Sequence, residues 1–308
     1  MSMTRTSGLL LPKPRYRGAT GVGAAYGTFG ELLQGRLPED DGDFLVTFPV
    51  ARWSVATFRT DPGVTGVKVW PPHKRKGARL AEMIIAETGE RIGAHLSLDS
   101  GLPEGKGMAS SSADLVATAR AVGNALGVDM PPERIESHLR EIEPTDGVLY
   151  PGIVAYHHRQ VRLRAMLGAL PSMTVVGVDE GGEVDTVAFN QLPKPFSAAD
   201  RREYAWLLAR MADAVRARDL AEVGRIATRS AEMNQILRPF TMLSDMVDVC
   251  ERVGGLGVVA AHSGTMLGIL LDRARPDYHD TLAATASACA ALAGNVAVYQ
   301  SLSFDFGS

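Results

Sequence analysis

Residues 100–114 read SGLPEGKGMASSSAD, and most of what the chain can be turns on how this stretch folds. Gly101, Gly105 and Gly107 loosen the backbone, Pro103 bends it, and Ser110, Ser111 and Ser112 lead into a helical pattern. There Leu115, Ala119, Val122 and Leu126 recur at helical spacing, with Gly127 placed as a C-cap. Upstream, residues 94–98 alternate as a strand. Strand, glycine loop, helix is the order in which backbone N–H groups and the positive end of a helix dipole converge on one anion. The stretch therefore predicts a phosphate loop whose contacts run over Pro103, Gly105, Lys106, Gly107, Met108, Ala109, Ser110, Ser111 and Ser112. It is not the G-x-x-x-x-G-K-[ST] loop. Taken alone, the segment is better explained by the commoner serine N-cap after a flexible turn.

The bulk properties narrow the partner. The chain has 308 residues, 45% of them hydrophobic and 22% charged, which is a globular composition with room for two domains. A net charge of -3 supplies no field for a nucleic-acid backbone or an anionic membrane, so a small molecule is expected instead. The basic run His73, Lys74, Arg75, Lys76 reads as a solvated loop. Two cysteines, Cys250 and Cys289, sit in apolar helical surroundings and predict buried free thiols suited to a reducing cytosol. The first residues are broken by Pro12 and Pro14 too early for a secretory segment, and no stretch approaches a membrane span.

Working outward from the loop, strands are expected at 24–26, 44–48, 53–58 and 67–70, and a helix at 78–86. A second helix opens at Pro131-Pro132 and is stopped by Glu143-Pro144. Strands at 161–166 and 173–178, helices at 198–218, 220–237 and 242–253, strands at 256–261 and 266–271, a helix at 279–292 and a strand at 295–301 complete an α+β pattern. A β-rich first half carrying the loop gives way to a helix-rich second half between His158 and Pro171. His157 and His158, adjacent on a strand, point to opposite faces and are not expected to share a metal.

Residues 103–113 resemble the second motif, P-x-x-x-G-L-G-S-S-A-A, of the galactokinase, homoserine kinase, mevalonate kinase and phosphomevalonate kinase (GHMP) superfamily, with Met108, Ala109 and Ser112 as departures. Gly27-Thr28-Phe29-Gly30-Glu31 resembles the first motif, and residues 261–268, AHSGTMLG, the glycine-rich third. The strings at 30–35 (GELLQG), 106–114 (KGMASSSAD), 142–146 (IEPTD) and 261–264 (AHSG) are similar to those of the L-threonine kinase branch that serves cobalamin synthesis. Tyr26 and Phe29 depart from that branch, which has a proline and a small residue there.

The resemblance implies an α+β GHMP kinase fold of two domains. Residues 1–165 would form a ribosomal-protein-S5-domain-2-like ATP-binding domain, and 166–308 a ferredoxin-like α+β domain. It implies a cytoplasmic transferase that uses ATP and Mg²⁺ on a small hydroxy amino acid, with a homodimer left open. By resemblance Asp146 is the catalytic base and Glu143 holds the metal, with the Ser111 hydroxyl beside it. Lys106, as a lysine in a glycine loop, either offsets phosphate charge in catalysis or points to solvent. Gly30, Glu31, Gln34, Thr145, His262, Ser263 and Gly264 would border the substrate. L-threonine is the expected acceptor. Homoserine or a specialised-metabolite precursor is the alternative, and a non-catalytic nucleotide-binding regulator is the reading of another class.

Overall fold

A computed structural model describes residues 16–39, 42–182 and 194–304. Two long strands, β1 (Thr20–Arg36) and β2 (Asp43–Thr60), pair antiparallel along their whole length. They are followed by β3 (Val67–Trp70), α1 (Arg75–Glu87), β4 (Ala94–Ser100), α2 (Ser110–Leu126) and α3 (Pro132–Arg140). Next come β5 (Ile153–His157), β6 (Arg162–Gly168) and β7 (Met173–Asp179), then α4 (Ala198–Ala217), α5 (Leu220–Asn234) and α6 (Leu243–Val253). The described chain ends with β8 (Gly257–Ala260), β9 (Met266–Asp272), α7 (Tyr278–Ala293) and β10 (Val296–Gln300).

The strands form one sheet in the order β10-β7-β9-β8-β1-β2-β4-β3, with β5 joined to β2 and β6. The two halves meet through β1 and β8, where Glu31 pairs with Ala260. Position 165/166 lies inside β6, so the boundary expected there cuts a strand rather than a linker. A single apolar cluster runs from Leu80 and Ile84 on α1, through Phe44 and Phe58 on β2, to Ile269 and Leu270 on β9.

Two packing details place the site. A side chain at Gly21 or Gly23 would come within 2.2 to 2.3 Å of a carbonyl of α2, so the glycines let α2 lie directly on β1 and fix its N-terminus. Farther along, β1 is irregular, with register shifts on either side of Glu31 and a positive φ of 55° at Gly30. Bulges of this kind re-aim side chains, and here they turn Glu31 inward.

Tyr26 and Phe29, the departures from the first motif, belong to the core. Phe29 is fully buried, stacks on Tyr299 at 5.0 Å, and fills a slot left by Gly177 and Gly268, which face each other across β7 and β9. Tyr26 packs edge-on against Trp53 and donates its hydroxyl to the Tyr150 carbonyl. Cys250 and Cys289 are buried free thiols.

Candidate active site

The phosphate loop occupies 101–109 between β4 and α2, as the sequence predicts, but its helix starts differently. Ala109 is the N-cap, in the left-handed region at φ 55°, and makes no side-chain cap. The three serines take the first helical positions, which leaves their hydroxyls available for contacts beyond the helix. Ser111 Oγ donates to Glu143 Oε1, and Ser112 Oγ lies 3.2 Å from both Asp146 Oδ2 and the Asp146 backbone N–H. The I-E-P-T-D turn is thereby clamped onto the start of α2. The plain serine-cap reading of the loop is not what this geometry gives.

Backbone contacts hold the loop from two sides. The N–H groups of Thr28 and Gly30 on β1 donate to the carbonyls of Met108 and Gly107 at 3.2 and 3.1 Å. Opposite, the 261–264 turn packs so tightly that a side chain at Gly264 would sit 2.1 Å from the Lys106 carbonyl carbon, and one at Gly107 2.4 Å from Ala261 Cβ. The third motif is therefore a buttress for the second.

These elements enclose a cleft of about 450 Å³ lined by Gly105, Gly107, Ala109, the three serines, Glu143, Asp146, Glu31, His262 and Ser263, with Met108 buried beneath. Among the described residues lining it, Pro103, Lys106, Gly30, Gln34, Thr145 and Gly264 are not found. Gly30 and Gly264 shape it through the backbone, as above. Gln34 Oε1 meets His262 Nδ1, and the Thr145 N–H donates to the His158 carbonyl at 3.1 Å. Lys106 is engaged elsewhere: its Nζ lies 2.8 Å from Asp179 Oδ2 and donates to the Gly182 carbonyl at 2.7 Å, so it ties the loop to the end of β7.

The basic run at 73–76 is a partial correction. His73, Arg75 and Lys76 are exposed as expected, yet all four residues line the cleft at the start of α1. Lys74 Nζ lies 2.5 Å from Asp114 Oδ2 and 2.6 Å from Glu104 Oε1, while Lys76 pairs with Glu143 Oε2. Burial works against the Lys74 ammonium, but the two carboxylates outweigh it and hold its pKa above the ordinary lysine value. A local signal existed: the first turn of α1 has no acidic residue, and these cations face the positive end of the helix dipole, a placement unfavourable by roughly 0.3–1 kcal/mol each. Such an inconsistency marks a functional site more often than a solvated face.

Two acids in the cleft are tuned upward. Burial raises the Asp146 carboxyl to about 6, with Glu143 adding to the shift and the Ser112 hydrogen bond opposing it. Glu31, 3% exposed, is held well above the usual carboxylate range by burial and then by Asp146. Its Oε2 is buried without a hydrogen-bond partner among the described residues. Burial, then His158 and Lys194, keep His262 far below an ordinary histidine, so it is neutral at pH 7. Because Gln34 Oε1 can only accept, Nδ1 of His262 carries the proton and Nε2 is an acceptor. His158, on the inner face of its strand end, stacks edge-on against His262 at 4.7 Å.

A phosphate loop on a helix N-terminus, buttressed by a glycine turn and faced by two carboxylates, defines a phosphotransferase site. The chain has the GHMP kinase two-domain fold: the model of the GHMP kinases N terminal domain matches residues 76–149 and that of the GHMP kinases C terminal residues 211–278. Members of the GHMP kinase family are phosphotransferases that use ATP. The chain is 29% identical over 260 residues to an L-threonine kinase of Salmonella typhimurium, covering 80% of this chain and 82% of that one. It is 28% identical over 193 residues to an L-threonine kinase of Citrobacter freundii, covering 60% and 66%. Its fold is similar to that of a homoserine kinase from Cytophaga hutchinsonii, with a TM-score of 0.73, 17% identity and 98% of both chains covered. It is also similar to the L. major mevalonate kinase, with a TM-score of 0.67, 16% identity and 95% and 99% covered.

Proposed function

We propose that this protein is an ATP-dependent kinase that phosphorylates the side-chain hydroxyl of L-threonine, giving O-phospho-L-threonine and ADP. The observation that carries the reading is the double clamp of Ser111 on Glu143 and Ser112 on Asp146 at the mouth of the phosphate loop. The strings shared with L-threonine kinases include the Ser111 to Asp114 and Glu143 to Asp146 segments that make it.

The oxygen set of Ser111 and Glu143 suits Mg²⁺, a hard cation that takes one or two protein oxygens together with phosphates and water. Bound there, it would neutralise charge on the transferred phosphoryl group. Among the described residues no group of three or more His, Cys, Asp or Glu is placed to hold a metal, and such a site needs none.

The remaining steps belong to the chain. The loop's backbone N–H groups and the dipole of α2 hold the phosphates. Asp146, ionised above about pH 6, accepts the acceptor's hydroxyl proton as that oxygen bonds to the γ-phosphorus and the β,γ-bridging oxygen leaves with ADP. Glu31 and His262 line the same space, and the buried Glu31 carboxyl suits the substrate's ammonium group. Tyr26 and Phe29, the departures from the first motif, sit in the core and not on the cleft wall. Membrane passage is no part of the reading, since no helix among the described residues is long and apolar enough to cross one.

The deciding experiment is acceptor-dependent ADP release over a panel of hydroxyl compounds. Release with L-threonine well above that with L-homoserine or L-serine is expected. Turnover with homoserine but not threonine would overturn the acceptor, and no release with any acceptor would favour a nucleotide-binding regulator.

A further inference from the structure

Lys76 stands where a helix does not want a cation, at the second position of α1 with no capping side chain behind it. Its neighbour Lys74 is locked between Asp114 and Glu104 and only 13% exposed, which explains that residue as structure. Lys76 is built differently. Its side chain is 49% exposed and its ion pair among the described residues is with Glu143, whose own side chain is 10% exposed.

Both oxygens of Glu143 are engaged: Oε1 accepts from Ser111, and Oε2 holds Lys76. A divalent ion held by Ser111 and Glu143 binds this same carboxylate, beside the oxygen that holds Lys76. An ammonium and a divalent ion at contact distance on one nearly buried carboxylate repel strongly, because like charges are poorly screened away from water. The arriving metal therefore weakens the hold of Glu143 on the Lys76 ammonium and favours its departure. Its tether keeps it at the cleft, where the nucleotide's phosphates are the compensating negative charge, and its exposure leaves it room to swing.

We propose that Lys76 and the divalent cation exchange on Glu143, and that the displaced ammonium moves to the nucleotide's phosphates, making Lys76 a phosphate-binding residue released by the metal. The proposal rests on the kinase reading of this cleft. It has a thermodynamic consequence: metal and nucleotide each favour the arrangement the other needs, so their binding is positively coupled.

The test compares the wild type with Lys76→Met, which keeps the stem and removes the charge, after circular dichroism shows both folded. Mn²⁺ alone is titrated by electron paramagnetic resonance, and ATP by calorimetry with and without Mg²⁺. Removing a charge-assisted contact shifts such equilibria roughly tenfold. Lys76→Met is expected to bind Mn²⁺ alone roughly tenfold tighter and Mg²⁺·ATP roughly tenfold weaker. Glu143→Gln should lose the Mn²⁺ site in either background. Unchanged or weaker Mn²⁺ binding by Lys76→Met, with a wild type that binds both ligands, overturns the exchange and leaves the kinase reading standing. A wild type that binds neither Mn²⁺ nor ATP removes the reading, and the proposal with it.

Discussion

Asp146 works at a cost to the fold, and the sign of that cost is measurable. Its folded pKa of about 6 lies above the ordinary 3.8, so the native state binds the extra proton and stability declines as pH rises between the two values. Well above pH 6 the penalty is complete, on the order of 3 kcal/mol. Asp146→Asn should therefore raise the Tm at pH 8 and do little at pH 4, while turnover falls by roughly 10²–10⁴-fold with nucleotide affinity retained. In the wild type, kcat/KM should fall as pH drops through about 6, because the ionised form is the base. A variant with undiminished turnover would remove Asp146 from the chemistry. At Ala109, a left-handed non-glycine residue carries roughly 1–2 kcal/mol of strain, part of which a glycine returns as unfolded-chain entropy. Ala109→Gly, which restores the glycine of the wider superfamily's motif, should stabilise by about 0.5 kcal/mol in denaturant melts and keep activity. A loss of stability there would mean the loop uses that strain.

At the scale of elements, the phosphate loop is only as rigid as the turn behind it. Gly264→Ala would drive a methyl group into the Lys106 carbonyl, where backbone on both sides leaves nothing flexible to move. Overpacking of this kind typically destabilises by about 1–3 kcal/mol. The expected result is a lower Tm with a larger rise in KM for ATP than for the acceptor, measured by steady-state kinetics. An unaltered KM for ATP would sink the buttress role. Most elements were legible because their signals are local: the alternation of β4, the helical spacing of α2 and the Glu143-Pro144 stop all depend on neighbours in sequence. Strand β5 was not, since its five residues are all buried and carry no alternation, and they follow directly on Pro151 and Gly152. The site divides in the same way. Ser111, Ser112, Glu143 and Asp146 sit in contiguous motifs, whereas Lys74 and Lys76, marked locally only by their place at the start of α1, gain their partners when α1 is laid beside α2. Lys106 stayed open for the converse reason, because Asp179 reaches it from the other half of the chain.

At the scale of the molecule, no half owns the site. The loop, its serines and the Glu143–Asp146 turn come from the first half, the 261–264 turn from the second, and β1 carries Glu31 at the seam where it pairs with Ala260. With one sheet and one apolar cluster running through both halves, unfolding either half strips a strand edge and a core face from the other. Thermal unfolding should accordingly be a single transition by both circular dichroism and tryptophan fluorescence. Because a nucleotide binds elements of both halves, it should move that whole transition. At 100 times its dissociation constant it adds about 2.7 kcal/mol, or roughly 5 °C for a chain of this size. Gly264→Ala should lose most of this shift, since the loop it buttresses no longer holds its shape. Two resolved transitions, with nucleotide raising only one of them, would show that the halves are independent and that the contact between the 261–264 turn and the phosphate loop does not couple them.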